Sequence, residues 1–594
     1  MDQLLKQTLF FQLSSMSIPS LPILLSPEHM TKYKNNKNTN WHDTPWKECN
    51  KKVQDLQNKI VKATLEKDMR KIYQLQNQLI SSFEGRAIAI RNVVTSSGSK
   101  TPGIDKQVWN TPEMRFNAIE TLGTITKNPN NYKSQPLKRI MIPKANSSEL
   151  RPLGIPTMID RAVQAVYLLA IDPVIETTSD KNSFGFRKSR SQHDAIAYIR
   201  TILDKAVSPE YILEADISKC FDKISHKFLM ENTPICHKHV LHQWLTSGYI
   251  FENKLYKTTE GTPQGGIISP LLCNIALNGL EGHVKSVFPA HKDVNGKKPK
   301  VNIYRFADDL IVTGNNEEIL SEIKKSIAEF LKLRGLELKD SKTRIVSIHT
   351  GFDFLGFNIT RKTYNPRLNK ITQQKTVLII KPADKAVVSI KAKLKQIFLN
   401  YNEIIAIIKE INPLLRGWGN YFNISYHSQQ TFISIGHLVW NSMTKWVSKK
   451  HPDLALRKAV SKYIVKGKTS SNHKWVWGIK KENLEELNRL TIFNISETPI
   501  KIKTLLKLDK NPYLLENKSY FQKRLINKNA AKFREAIFKK YDHLCPLCNE
   551  TLHNGETVEL HHIKPAKDGG EYSLTNIQPL HQICHISITH RKQT

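Results

Sequence analysis

The chain has 594 residues, with 89 Lys and Arg against 53 Asp and Glu for a formal charge of +36. That length exceeds what one hydrophobic core serves and predicts several domains, while the charge predicts a polyanionic partner, nucleic acid first. A membrane is disfavoured, because no run approaches the roughly 20 apolar residues of a span and no long basic amphipathic helix is apparent.

The seven cysteines do not form a secreted disulfide pattern, so a reducing intracellular compartment is expected. Met1–Met30 contains Leu21-Pro22-Ile23-Leu24-Leu25 but lacks a basic stretch before a clean apolar core, and no signal peptide is expected. Residues 1–40 read as a disordered tail, with Lys34-Asn35-Asn36-Lys37-Asn38 at its polar end. Between Trp46 and Phe83, Val53, Leu56 and Ile60, then Ile72, Leu75 and Leu79, recur at spacings of three and four and predict a helical hairpin. Thr101-Pro102-Gly103-Ile104-Asp105 reads as a tight turn.

Residues 136–160 predict a β-hairpin broken at Asn146-Ser147-Ser148. Its cations Lys138, Arg139, Lys144 and Arg151 suit either a triphosphate or plain solvent. Asp160–Ile171 is apolar and predicts a core helix. Tyr211–Ile217 is a short apolar segment carrying Asp216 near its end, with Phe221 five residues later. In Gly261-Thr262-Pro263-Gln264-Gly265-Gly266, glycines permit close backbone approach and Gln264 offers both donor and acceptor to a nucleotide. A loop opening a helix is the other reading of that string.

Tyr304-Arg305-Phe306-Ala307-Asp308-Asp309 followed by Leu310–Gly314 predicts a strand–turn–strand with two carboxylates at its tip. Alone it would read as a solvated turn. Adjacent carboxylates repel, and with Asp216 they make a set able to hold two divalent ions for in-line nucleotidyl transfer. Ile319–Leu333 is amphipathic, Lys342 follows in a polar stretch, and Phe352–Phe357 is aromatic and apolar. Residues 376–500 read as helical and basic, including Leu415-Arg416-Gly417-Trp418-Gly419-Asn420-Tyr421-Phe422. Residues 501–540 carry 12 Lys and Arg against 3 Asp and Glu, which suits a solvated linker or a DNA-contacting segment.

At the C-terminus Cys545-Pro546-Leu547-Cys548 and His581-Gln582-Ile583-Cys584 share a two-residue gap and make a candidate Cys₃His zinc site. His581 and His585 are one helical turn apart, so His581 could instead serve a second metal. A purely structural zinc ribbon is the plainer alternative.

Together these motifs resemble group II intron-encoded proteins, the reverse transcriptase/maturase family with a C-terminal HNH endonuclease domain. The resemblance implies an α+β multidomain fold: a right-hand polymerase with fingers and palm, an α-helical thumb or maturase domain, and a C-terminal ββα-metal HNH unit. The implied division is a tail at 1–40, an N-terminal helical extension at 41–135, fingers and palm at 136–375, thumb/maturase at 376–500, a basic DNA-binding linker at 501–540 and the HNH domain at 541–594. It implies Asp216, Asp308 and Asp309 as ligands of two Mg²⁺ ions and Lys342 as proton donor to the leaving pyrophosphate. Lys144, Arg151, Phe221, Gln264 and Gly265 would bind the dNTP, with Phe221 as a steric gate against a 2′-hydroxyl.

In the HNH unit, His562 would be the base, His561 and His585 would hold a divalent metal, and Asn576 would orient the loop. His581 stands where the family usually has Cys. The implied partners are the host intron RNA, target DNA and dNTPs, in an organelle or a bacterial cytoplasm, with the oligomeric state open and a dimer one option. The competing readings are a non-enzymatic RNA-binding maturase with relic catalytic domains, and a reverse transcriptase of another retroelement class.

Overall fold

The computed structural model describes residues 40–143, 149–205, 207–289, 298–363, 376–467, 475–479, 490–525, 532–565 and 568–591. The expected tail, apart from Asn40, and the site candidate Lys144 lie outside these.

The N-terminal periodicity becomes helices α1 (Trp46–Leu65), α2 (Met69–Ser81) and α3 (Phe83–Thr95). Asp68 caps α2 by accepting from Lys71 N at 2.9 Å, and Ser82 caps α3 by accepting from Gly85 N at 3.0 Å. These caps satisfy amides that a helix start leaves without partners. With α4 (Pro112–Lys127), the three pack around the largely buried α5 (Met158–Thr178).

Strands β1 (Leu137–Pro143) and β2 (Leu150–Ile155) form the expected hairpin, extended by β4 (Tyr249–Phe251) and β5 (Lys254–Tyr256) in the order β2-β1-β4-β5. A second sheet carries β3 (Tyr211–Asp216), β6 (Asn302–Phe306), β7 (Asp309–Gly314) and β8 (Arg344–Ser347), ordered β6-β7-β3-β8. Alternate residues of this sheet enter two different cores: Leu213, Leu310 and Val312 on one side, Ile212, Tyr304 and Ile311 on the other. Covering both faces explains why β3 and β7 read as continuous apolar runs rather than alternating ones. On the first side lies α9 (Glu317–Lys332), which buries Ile319, Ile323, Ile327 and Phe330. Helix α6 (Gln192–Leu203) precedes β3, and α7 (Cys220–Lys223) and α8 (Ser269–Leu277) lie between β3 and β6 in the chain.

One expectation is corrected here. Residues 376–382 are not the start of the helical region; they form β11 (Thr376–Pro382), paired antiparallel with β10 (Phe357–Thr363), which also pairs with β9 (Phe352–Phe354). The run Thr376-Val377-Leu378-Ile379-Ile380 is rich in β-branched residues, which suit a pleated, half-buried surface. The helices begin with α10 (Asp384–Asn400), α11 (Ile404–Phe422) and α12 (Ser428–Lys450). They are followed by the short hairpin β12 (Ile464–Lys466) and β13 (Trp475–Trp477).

The aromatic string in α11 packs inward. Tyr421 stacks on Phe357 with ring centroids 5.7 Å apart, donates from its hydroxyl to Leu355 O at 2.9 Å, and its carbonyl lies 2.7 Å from His193 Nε2. His193 is thereby a packing residue.

The segment 501–525 is no free linker. Lys503 and Arg524 both pair with the buried Asp194, Lys518 Nζ donates to Gln54 at 3.1 Å, and Asn511 donates to Thr177 at 2.9 Å. The C-terminal unit consists of α13 (Lys532–Lys540), the antiparallel pair β14 (Val558–His562) and β15 (Ile577–His581), and α14 (Gln582–Arg591). No helix among the described residues is long and apolar enough to cross a membrane.

Candidate active sites

The register of β3 against β7 sets Asp216 opposite Asp309, and the β6–β7 turn adds Asp308 beside them. Ala307 enters that turn at φ 57°, and Gly185 lies so close that an added Cβ would stand 2.3 Å from Ala307 N. Beneath the turn runs Arg305, 3% exposed, whose Nη1 donates to Asn274 Oδ1 at 2.9 Å and to Ala307 O at 3.2 Å. Arg305 was not singled out from sequence; a lone cation flanked by Tyr304 and Phe306 inside an apolar strand was the available signal.

The acidic set is electrostatically poised for a cation. Burial, followed by Asp308 and Asp216, pushes Asp309 up to about 6; burial and the neighbouring Asp216 also raise Asp308, against the opposing charges of Arg151 and Lys342. Lys342 Nζ sits 2.6 Å from Asp216 Oδ2, so an ammonium already finds this spot favourable. Carboxylate oxygens are the donor type that suits hard divalent ions such as Mg²⁺.

The raised Asp309 has a measurable sign. Its ordinary value is 3.8 and its folded value about 6, so between these the folded chain keeps a proton that the unfolded chain loses. In metal-free buffer this group's contribution to stability is therefore lost as pH rises from roughly 4 to roughly 6. Chemical denaturation at those two pH values should show that loss, and Asp309→Asn should remove it; an unchanged pH dependence in the variant contradicts the assignment.

The glycine string forms the wall beside this set. Gln264 O accepts from Gly154 N of β2 at 2.6 Å, and Gln264 Nε2 donates to Asp222 Oδ2 at 3.4 Å. Gly265 takes φ +109°, and an added Cβ would stand 2.5 Å from Gly154 O, so only glycine fits. The loop then opens α8, as the plainer reading of the string expects. Phe221, on α7, is half-buried and meets Phe186 edge-on with centroids 6.2 Å apart. Phe186, at φ 57° and 52% exposed, is a further aromatic at this wall.

At the C-terminus Cys545, Cys548, His581 and Cys584 converge, all buried, with their ligand atoms within 4.8 Å of one another. His581 therefore belongs with the cysteines; its Nδ1 lies 3.3 Å from Cys548 Sγ. Three thiols and one imidazole at this separation fit a tetrahedral zinc site, where Zn–S bonds of about 2.3 Å put sulfurs roughly 3.8 Å apart.

His561 and His585 form a separate pair with ring centroids 4.8 Å apart. His585 Nδ1 contacts Glu559 Oε2 at 2.6 Å. Glu559 and His561 share one face of β14 while His562 points to the other, near Tyr572 at 5.6 Å between centroids. Glu559 was visible in the sequence, and the two-residue period of a strand is what would have grouped it with His561. Asn576 spans its loop, donating to Lys564 O at 3.0 Å and Glu571 O at 2.9 Å while accepting from Lys564 N at 2.8 Å.

A cavity of about 680 Å³ lies in the helical region between Leu415, His437, Trp440, Trp475, Trp477 and Phe493, and none of the sequence-predicted site residues lines it.

Four family profiles match the chain: the N-terminal domain of reverse transcriptase over residues 41–122, reverse transcriptase (RNA-dependent DNA polymerase) over 142–359, the group II intron maturase-specific domain over 387–464, and HNH endonuclease over 544–591. The fold is thus a mixed α/β reverse transcriptase joined to an HNH endonuclease.

Protein YkfC of Escherichia coli is 33% identical over 324 residues, covering 48% of this chain and 82% of that protein. The group II intron-encoded protein LtrA of Lactococcus lactis is 26% identical over 563 residues, covering 81% of this chain and 88% of that protein. A putative COX1/OXI3 intron 1 protein of Saccharomyces cerevisiae is 24% identical over 581 residues, covering 83% and 65%. The chain belongs to the group II intron-encoded reverse transcriptase/maturase family with an HNH domain, and is an RNA-directed DNA polymerase, a splicing maturase and an endonuclease in one polypeptide.

Proposed function

We propose that the chain binds its host group II intron RNA, cuts target DNA with the HNH unit, and copies the intron into DNA at Asp216, Asp308 and Asp309. The observation that carries this reading is the β3–β7 register that sets Asp216 against Asp309 at the acidic turn. The helices from 384 to 450, with exposed Lys385, Lys391, Lys393 and Lys395, would be the thumb or maturase domain that holds the RNA. The hairpin β1–β2 would belong to the fingers. The chain would work wherever its intron is transcribed, in an organelle or a bacterial cytoplasm.

At the polymerase site two Mg²⁺ ions would activate the primer 3′-hydroxyl and neutralise charge on the triphosphate. Arg151 acts electrostatically on Asp308 and suits bidentate capture of phosphate. Lys342, within hydrogen-bond reach of Asp216, would hand a proton to the leaving pyrophosphate. Phe221 is held against Phe186 and Gln264 against Asp222, so a sugar carrying a 2′-hydroxyl would meet a fixed ring. Phe221→Ala should raise ribonucleotide use relative to deoxyribonucleotide by roughly 10- to 200-fold, the range that removal of a hydrophobic contact spans. Single-nucleotide incorporation with dNTP and rNTP measures it; an unchanged ratio removes Phe221 from that role.

In the HNH unit His562 would take the proton of the attacking water, and His561 and His585 would hold a divalent ion, with Glu559 orienting His585. The Cys₃His cluster would hold zinc as a structural centre. Primer extension on an RNA template with Mg²⁺ and dNTPs tests the polymerase reading directly.

A further inference from the structure

The candidate zinc cluster is not closed off within the HNH unit. Arg91, on α3 of the N-terminal helices, reaches it across 490 residues to His581 and 493 to Cys584. Its side chain is 3% exposed; Nη2 donates to Glu556 Oε2 at 3.2 Å and to Cys584 Sγ at 3.4 Å, and lies 3.5 Å from His581 Nδ1. Around it the same helices make further buried contacts. Asn50 Nδ2 donates to Cys548 O at 2.7 Å, inside the Cys545–Cys548 knuckle, and His42 Nδ1 lies 3.2 Å from Ser587 Oγ on α14. Gln54 donates to Glu550 at 3.3 Å. Trp41, Trp46 and Cys49 share one apolar core with Ile537, Phe538, Leu552 and Leu580.

Charge gives this contact its meaning. Three thiolates and a neutral imidazole around a dication leave one excess negative charge, and burying an uncompensated charge is costly. The guanidinium of Arg91 is the cation that meets the cluster. In turn, Arg91 is nearly inaccessible, and the anionic groups that meet it come from the HNH unit. Each side supplies what the other needs.

We propose that the Cys545–Cys548–His581–Cys584 metal centre is the latch that fixes the nuclease to the polymerase's N-terminal helices, with Arg91 as the positioning residue that closes it. The inference rests on reading the four residues as a metal site. It makes the nuclease an integral part of the reverse transcriptase body rather than a tethered module. Because coupling between two sites is reciprocal, metal occupancy should steady α1 and α3, and Arg91 should steady the metal.

The test uses the full chain. Metal content is measured first, then the rate at which metal passes to a chromophoric chelator, then amide hydrogen exchange before and after stripping. Wild type is expected to hold the ion at this cluster, and Arg91→Ala to release it at least tenfold faster, with Arg91→Lys in between. Primer extension by Arg91→Ala should stay within about twofold of wild type. Stripping wild type should raise exchange in peptides from 46–65 and 83–95 while leaving 302–314 unchanged, a readout that needs no variant to fold.

Equal release rates with no change in exchange at α1 and α3 would overturn the latch while leaving the metal site intact. A Cys584→Ser variant with the same metal content as wild type would overturn the metal reading, and the latch with it.

Discussion

Replacing Asp308 and Asp309 together by Asn is expected to abolish RNA-templated primer extension, lowering it on the order of 10³-fold or more, about 4 kcal/mol of transition-state stabilisation. Two of the three carboxylates brought together by the β3–β7 register and the β6–β7 turn are then gone, and Asp216 alone would not hold a metal pair. The fold should survive. Burial and mutual repulsion raise both aspartates, so they are held against their electrostatic preference. Groups placed in that way serve function at a cost in stability. The variant should melt at the same temperature as wild type or higher in metal-free buffer. A variant that is inactive because it is unfolded would fail this expectation, and circular dichroism separates the two cases.

The second large effect belongs to the other end of the chain. His562→Ala should cut DNA cleavage by roughly 10²- to 10⁴-fold, the contribution of a positioned general base, and leave primer extension unchanged. His562 lies on the face of β14 opposite to Glu559 and His561, so its loss should leave the His561–His585 pair in place. His585→Ala should fail by a different route, with cleavage partly recovered at high divalent-ion concentration. Supercoiled-plasmid nicking by the purified protein distinguishes these outcomes. Equal nicking by His562→Ala and wild type would remove His562 from the chemistry.

What could be read from the sequence follows from how local each signal is. The acidic hairpin was legible because a strand, a two-carboxylate turn and a second strand are contiguous, and the partner Asp216 ends its own short strand. The C-terminal metal residues were legible because knuckle spacing is set by the chain itself. His581 was left between two metals, since helical spacing to His585 and two-residue spacing to Cys584 are both local and point in opposite directions. Only the pairing of β14 with β15, which buries His581 among the thiols, decides it.

β11 was missed because four apolar residues beside a long helical pattern carry no period of their own. Its identity comes from pairing with β10, a tertiary fact. Arg91 left no sequence signal at all. An arginine in a helix interior is ordinarily a solvated residue, and what buries it lies 465 positions away. Likewise the basic segment 501–540 read as a solvated linker or a DNA-contacting segment because charge density ordinarily marks chain that faces solvent or a polyanion. Lys503 and Arg524 instead converge on the single carboxylate of Asp194.

One polypeptide is expected both to cut DNA and to copy RNA, the first at its histidine site and the second at its acidic site. The measurement that tests it most directly is a combined reaction: protein bound to its intron RNA, supercoiled target DNA, Mg²⁺ and labelled dNTPs, with products resolved on a denaturing gel. Wild type is expected to yield cDNA joined to the cut target strand. The Asp308→Asn/Asp309→Asn variant should yield cut DNA without cDNA, and His562→Ala should yield neither unless a pre-cut primer is supplied, which restores synthesis. A wild-type protein that splices its intron but neither cuts nor extends, or cDNA made by the double aspartate variant, would contradict the account.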